Sequence, residues 1–403
     1  MNKRLLAVAL IVLVIASLSV QFVAAQDDAL VIWADDTRAP VLEEIAAGFT
    51  EEYGIPVEVV QIGFGDIRTN MVTAAPAGEG PDILIGAHDW IGQLNADNLL
   101  APIELDEELA AEFSPISLQA FTIDGVLYAV PYAVENVALF RNTELVPDAP
   151  ATWEDVRTIS QEIIESGAAQ YGFVYQRGDA FHFFGLQTAF GGYVFGQDEA
   201  GNYLADDLGI DSEGSIAALE FASQMVVDGI MPSTSGDEAT ALFESGDAAM
   251  LISGPWFLGR FRDAGVPFAV SPIPAGPDGN PGRPFLGVQG FMVNNLSDQV
   301  DLAVAFLTEF VATEETMIAL QTAGGRPAAW VSAAAASDDP DFPAFAEAGA
   351  VGLPMPAIPE MGDVWGAWGN AITLAIQGDL SAEEAFTTAG AEIRALIEAT
   401  PEP

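Results

Sequence analysis

From Ala29 onward, short apolar runs alternate with stretches whose apolar residues recur at helical spacing. Leu30 to Trp33 predicts a strand. Val41, Ile45, Phe49 and Tyr53 then recur every fourth residue and predict one face of a helix, closed by Gly54 and Pro56. Val57 to Ile62 predicts a second strand, Ile67 to Ala75 a second helix, and Asp82 to Ile85 a third strand after the turn Gly78-Glu79-Gly80-Pro81. Strands and helices alternating in this way build a doubly wound α/β lobe.

Further along, Thr152 with Asp155 three residues on predicts a capping-box start for a helix through Glu165. Leu242 to Gly246 ends another helix, and Ala248 to Ile252 is an apolar strand. A turn-rich stretch, Pro274 to Pro284, leads into PFLGVQGFMV, Pro284 to Val293. Helices follow between Val300 and Ala323, and a last one runs from Ala382 to about Ala399. The chain shows neither an internal repeat nor a low-complexity linker.

The most continuous apolar run is YAVPYAVENVALFRN, Tyr128 to Asn142, which reads as one buried strand. Glu135 interrupts it, and an ionised carboxylate there needs a donor, a cation or a water-lined cleft. Two readings follow. Either a neighbouring Arg or backbone N–H satisfies Glu135, or the residue marks where a strand leaves one lobe for another and faces a cleft.

Composition narrows the function classes. A chain of 403 residues, 50% of them hydrophobic, has room for two cores. Cys is absent, and His88 and His182 are the only histidines, which argues against disulfides, thiol chemistry and a multi-histidine zinc centre. A net charge of −47 with only 12 Lys and Arg argues against nucleic acid as a partner. Such acidity favours solubility and suits a salty or acidic exterior. At the start, Lys3 and Arg4 precede the apolar stretch Leu5 to Ala16 and the small-residue site Val23-Ala24-Ala25. This is the pattern of a signal peptide over 1–25, with the mature chain beginning near Gln26. An uncleaved membrane anchor is the alternative. With no Cys after the apolar stretch there is no lipid-anchor site, so the expectation is an exported, soluble, periplasmic or extracellular protein.

Seven blocks then carry a family resemblance: LVIWADD, GPDILIGAHDW, YAVPYAVENVALFRN, PATWEDV, FESGDAAMLISGPW, PFLGVQGF and MPAIPEMGDVWGAWGNAI. In this order and spacing they resemble the extracellular maltose/maltodextrin-binding proteins of ABC importers, over essentially the whole mature chain. The resemblance implies an α/β, two-lobed periplasmic-binding-protein fold of type II, with discontinuous lobes and hinge strands at Tyr128 to Asn142 and Pro284 to Val293. It implies a first lobe of 26–133 and 288–328, and a second of 134–287 and 329–403. It also implies a monomer without catalysis or cofactor, which binds maltose or maltodextrin between the lobes and presents it to a membrane ABC permease.

Sugar chemistry gives an independent check. A glucose unit offers hydroxyls around its rim and C–H patches on its faces, so a site needs acceptors in the ring plane and aromatic surfaces above and below. Asp35, Asp36 and Arg38 follow the first strand, Ala87 and Asp89 the third, and Glu135 sits at the crossing. The second lobe offers Asp179 and Phe181 with His182 beside them, Trp256 after Gly254-Pro255, and Trp365 with Trp368 nearby. Each lies beyond a predicted strand end or in a loop, where α/β folds expose ligand groups.

Each candidate also has a plainer reading. Trp33 ends a buried strand and reads as core; Trp256 and Trp365 also suit core packing, and Asp35 or Asp36 suits a helix cap. His88 and Asp89, adjacent on a strand, would point to opposite faces, which argues against a metal pair. Asp206-Asp207 and Asp338-Asp339 lack calcium-loop spacing and read as solvated turns. The chain also departs from the family pattern. Gly86 stands where Trp is familiar, Trp90 where Arg is, Gly366 where an aromatic follows Trp365, and Phe181 and Phe184 replace Tyr and Trp. Sugar length and linkage therefore stay open, with trehalose or a cyclodextrin as alternatives on the same architecture. A secreted glycosidase using two carboxylates is a rival of another class, and a metal- or amino-acid-binding receptor lacks a dedicated cluster.

Overall fold

A computed structural model describes residues 29–233 and 236–399. The expected signal peptide, residues 1–25, lies outside the described residues. The chain opens with β1 (Leu30–Ala34), α1 (Ala39–Tyr53), β2 (Val57–Gln61), α2 (Phe64–Ala74), β3 (Ile83–Ala87) and α3 (Ile91–Ala96). Gly54 stops α1 in the left-handed region, φ 71°, with its N–H on the Thr50 carbonyl. A connecting stretch brings the chain to β4 (Ala129–Glu135).

The run expected as one strand is two. β4 ends at Glu135, and β5 (Ala138–Asn142) begins in a different sheet. Asn136 and Val137 carry the chain across, and both are buried. The break falls at the polar interruption of the run, Glu135-Asn136, the point that the second reading of Glu135 gave for a strand leaving one lobe for the other. The second lobe then adds α4 (Trp153–Ser166), β6 (Tyr171–Val174), α5 (Ala180–Ala189), α6 (Glu213–Val227), α7 (Gly236–Glu244), β7 (Ala248–Ser253), α8 (Leu258–Asp263) and β8 (Phe268–Ser271). The capping box at α4 is present, with Thr152 and Asp155 each bonded to the other's backbone N–H.

β9 (Phe285–Val293) returns to the first sheet, followed by α9 (Val300–Ala305), a π-helical segment Phe306–Val311, α10 (Glu314–Gly324) and α11 (Val331–Ala335). Trp330 packs edge-on against Phe113 at 5.0 Å, and Ala333 joins the same core, so first-lobe packing extends beyond residue 328. Next comes α12 (Phe342–Gly349), whose Phe345 meets Phe140 of β5 at 5.7 Å. β10 (Leu353–Pro354) pairs with β9, and α13 (Met361–Gln377) and α14 (Ala382–Ala399) pack on α6.

The first sheet has the order β10-β9-β3-β1-β2, with β4 also on β9. β1 runs parallel to β2 and β3, while β9 runs antiparallel to β3 and β4, with Gly287 opposite Glu135 and Gln289 opposite Ala87. The second sheet is β8-β5-β7-β6. One apolar cluster spans both lobes, joining Trp90 and Ile91 to Val364, Trp368 and Phe184 at the N-terminal half of α13.

Candidate functional site

The loop after β1 is built by Asp35. Its Oδ1 accepts from Thr37 N at 2.9 Å, Thr37 Oγ1 at 2.8 Å and Arg38 N at 3.1 Å, while Oδ2 pairs with the Arg38 guanidinium. Asp35 thus folds a turn and neutralises a buried cation, and it is Arg38 that occupies the N-cap position of α1, without a side-chain cap. Arg38 Nε donates to the Tyr132 hydroxyl, and its guanidinium lies 4.9 Å from the Phe64 ring centroid. Asp36 is exposed beside this cluster.

Glu135, 6% exposed, has both oxygens engaged. Arg326 Nε donates to Oε2 at 2.7 Å and Gln289 Nε2 to Oε1 at 2.8 Å. This is the paired reading of Glu135 and corrects the picture of an open carboxylate facing a cleft. A carboxylate at that depth holds its charge only with such partners.

Beyond β3, as expected for Asp89, the strand has ended: the chain makes a 3-10 turn, His88–Trp90, so the strand alternation used above for His88 and Asp89 does not apply. His88 is structural: Nδ1 accepts from Val288 N at 3.1 Å, and Nε2 faces the Met355 carbonyl at 3.2 Å. Burial brings its pKa down to about 4, so the ring is neutral near pH 7. Among the described residues no group of three or more His, Asp or Glu is placed to hold a metal ion.

Asp89 is different. Trp365 Nε1 donates to its Oδ2 at 2.9 Å, whereas its buried Oδ1 has no hydrogen-bond partner in the protein. Burial raises its pKa to about 6, against the opposing pull of Arg68 and Trp365. Arg68, which lowers the Asp89 pKa through its charge, has a buried Nη1 that is likewise unpartnered. An unfilled acceptor and an unfilled donor on two side chains that interact through their charges match a hydroxyl, which is both. Sequence reading missed Arg68, although a cation in the N-terminal half of α2 in a chain with so few is a usable signal.

Two aromatics neighbour this pair along the chain, Phe64 one turn before Arg68 on α2 and Trp90 just after Asp89. Phe64 and Trp90 lie 4.9 Å apart. A Cβ on Gly86 would come within 2.2 Å of the Trp90 ring, so the absence of a side chain at 86 and the indole at 90 are one arrangement: Trp90 covers the space that a residue at 86 would use. Ala87 ends β3, buried against Gln289 of β9.

From the second lobe, Asp179 caps α5 by accepting from His182 N at 3.2 Å, with His182 Nδ1 3.0 Å from its other oxygen. Burial opposes its charge, but His182 prevails and holds the carboxyl below its usual range. The nearby Tyr175 hydroxyl is buried without a partner, and burial together with Asp179 raises its pKa, keeping it a donor. Trp256 sits half-buried in the turn Pro255–Phe257, 5.8 Å from His182 and 6.4 Å from Phe181. Trp365, expected in a loop, lies on helix α13, half-buried, 5.8 Å from Trp368 and 6.1 Å from Phe285. Phe285 in turn stacks on Phe184 at 3.6 Å. Trp33 and Trp368 are core. The structure therefore brings Asp89, Arg68, Trp90 and Trp365 into one group, and Asp35, Arg38, Glu135, Trp256, Phe181 and Asp179 into another across the crossing. Asp36, exposed beside the second group, acts on Arg326 through its charge.

Two α/β lobes joined by crossing strands, with half-buried aromatics and unpartnered polar atoms where they meet, define a two-lobed solute-binding protein of type II. The model of the bacterial extracellular solute-binding protein family matches residues 44–344, and the chain belongs to that family. A solved structure of the Thermus thermophilus maltotriose binding protein bound with maltotriose is 34% identical. It superposes with a TM-score of 0.83 over 91% of this chain and 100% of that one. The galactooligosaccharide-binding protein of Bacillus subtilis is 27% identical over 92% of this chain and 90% of its own length. The maltotriose-binding protein of Pyrococcus abyssi is 28% identical over 85% and 76%. No described helix is long and apolar enough to cross a membrane.

Proposed function

We propose that this chain is the sugar-capturing component of an ABC importer and that it binds maltooligosaccharides of about maltotriose length between its lobes. The observation that carries the reading is Asp89. One of its oxygens is braced by Trp365 and the other left bare, in charge interaction with Arg68, whose Nη1 is also unpartnered, and Trp90, which packs on Phe64, follows it in the chain. That is the chemistry of a hydroxyl held in plane with apolar sugar faces on either side. The likeness to proteins named for maltotriose supports the choice of sugar. Closure of the lobes would complete contacts from both sides, and a permease would recognise that closed shape. A galactooligosaccharide is the second reading, favoured by the Bacillus subtilis relative.

Calorimetric titration of the mature protein with maltotriose and with a galactooligosaccharide tests both. The expected result is saturable binding of maltotriose, a raised melting temperature and no released glucose. Tighter binding of the galactooligosaccharide would overturn the choice of sugar, and glucose release would overturn the binding-protein reading in favour of a glycosidase.

A further inference from the structure

Arg326 follows α10 in the first lobe, next to Ala328, which bridges to Ala133 of β4. It is 5% exposed, and besides the Gly324 carbonyl of its own segment, 3.2 Å from Nη1, its contacts come from three different parts of the molecule. Nε donates to Glu135 at the end of β4 at 2.7 Å. Nη1 donates to Thr37 Oγ1 at 3.3 Å, and Asp35 holds that hydroxyl in turn. The guanidinium carbon also lies 5.5 Å from the centroid of Trp256, a residue of the second lobe.

The neighbouring backbone fixes this approach. Gly325 has φ 61°, and a Cβ there would come within 2.9 Å of the Pro255 carbonyl, the residue just before Trp256. First-lobe backbone and second-lobe turn are thus in direct contact where the guanidinium meets the indole. A planar cation suits this position because the face of an indole is electronegative and Arg can stack on it while its edge N–H groups stay engaged.

We propose that Arg326 is a positioning residue. Clamped by Glu135 and Thr37, it sets the orientation of Trp256 when the lobes close, so that the stacking surface of the second lobe is aligned by a cation of the first. The consequence for sugar capture rests on the function proposed above, but the contact itself is made entirely within the chain. Lys in place of Arg keeps a charge for Glu135 but loses the planar surface and the second donor that reaches Thr37.

The test combines two readouts on Arg326→Lys. In protein labelled with 5-fluorotryptophan, the Trp256 resonance, identified by Trp256→Phe, should shift in Arg326→Lys while the melting temperature stays near that of the parent. Maltotriose affinity should fall about tenfold, the scale of a lost cation–aromatic contact. Arg326→Lys should have no further effect in a Trp256→Ala background. An unmoved Trp256 resonance overturns the proposal, and so does an equal loss of affinity with and without Trp256. A shifted resonance in a protein that does not bind maltotriose would leave the positioning role standing and remove the sugar assignment alone.

Discussion

Trp365 donates its indole N–H to Asp89 across the two lobes, 2.9 Å from Nε1 to Oδ2. Helix α13, which packs on second-lobe α6, is thereby tied to the turn that follows β3. The bond leaves Asp89 Oδ1 free as an acceptor and fixes the plane of the carboxylate, while the Trp365 ring remains half-exposed.

Removing that indole should therefore cost twice. Trp365→Ala loses a stacking surface and the brace on Asp89, and should weaken maltotriose binding by about 1–3 kcal/mol, the range for a large desolvated anchor. Trp365→Phe restores the ring without the N–H and should fall between. Calorimetry on folded variants checks both. Unchanged affinity in Trp365→Ala would show that the ring packs without touching the ligand.

Glu135→Gln tests the buried pair. Neutralising the carboxylate leaves Arg326 charged at 5% exposure, so the empty protein should lose about 3 kcal/mol of stability, near the lower end for a broken buried pair because Gln keeps an acceptor oxygen. Chemical denaturation without sugar measures it. Near-normal stability with weakened sugar binding would instead return Glu135 to the role of a ligand group.

Two buried neighbours predict opposite responses to acid. His88 is held neutral down to about pH 4, whereas in the unfolded chain it takes up its proton near 6.5. Between those values the unfolded state binds more protons, and stability is lost as pH falls. Asp89 is raised to about 6 from 3.8, so the native state binds its proton first and gains stability as pH falls from about 6 toward 4. Each shift corresponds to about 3 kcal/mol, and the two largely cancel over the shared window. In Asp89→Asn the offset is gone, so the melting temperature of the empty protein should fall more steeply than the parent's between pH 6 and pH 4. Parallel curves would refute it.

Thr152→Ala removes one half of the capping box at α4 and should cost about 1 kcal/mol of stability. Because α4 lies away from the groups gathered around Asp89 and Trp256, maltotriose affinity should be unchanged. A change in affinity would mean that α4 communicates with the site.

Elements in both lobes were legible where their signals are local. The four-residue recurrence from Val41 to Tyr53 with Gly54 after it, and the Thr152/Asp155 pair, each specify an element by themselves. The crossing was less legible. Tyr128 to Asn142 is apolar on both sides of Glu135 and Asn136, and whether it is one strand or two comes from which sheet each half pairs with, which is decided by β9 and β7 far along the chain. The residue types around the site were readable, but their pairings were not. That Glu135 would meet Arg326, or that Trp90 would lie over Gly86, depends on contacts between distant segments. Around Trp365 the Gly residues disguise a helix; packing of α13 on α6 and α14 outweighs their low propensity.

The placement of β9 also bears on when the chain can fold. Among the described strands it is β9 that joins β4 to β3, and β9 begins only at Phe285, with Val293 lying opposite Ile83. During synthesis the first sheet therefore has to wait, incomplete, until the entire second sheet has been made. Such non-local pairing slows folding, because a long loop must close before any of its contacts form. A nascent chain of this design stays open late, a useful property in any molecule that has to be threaded through a narrow channel before it folds.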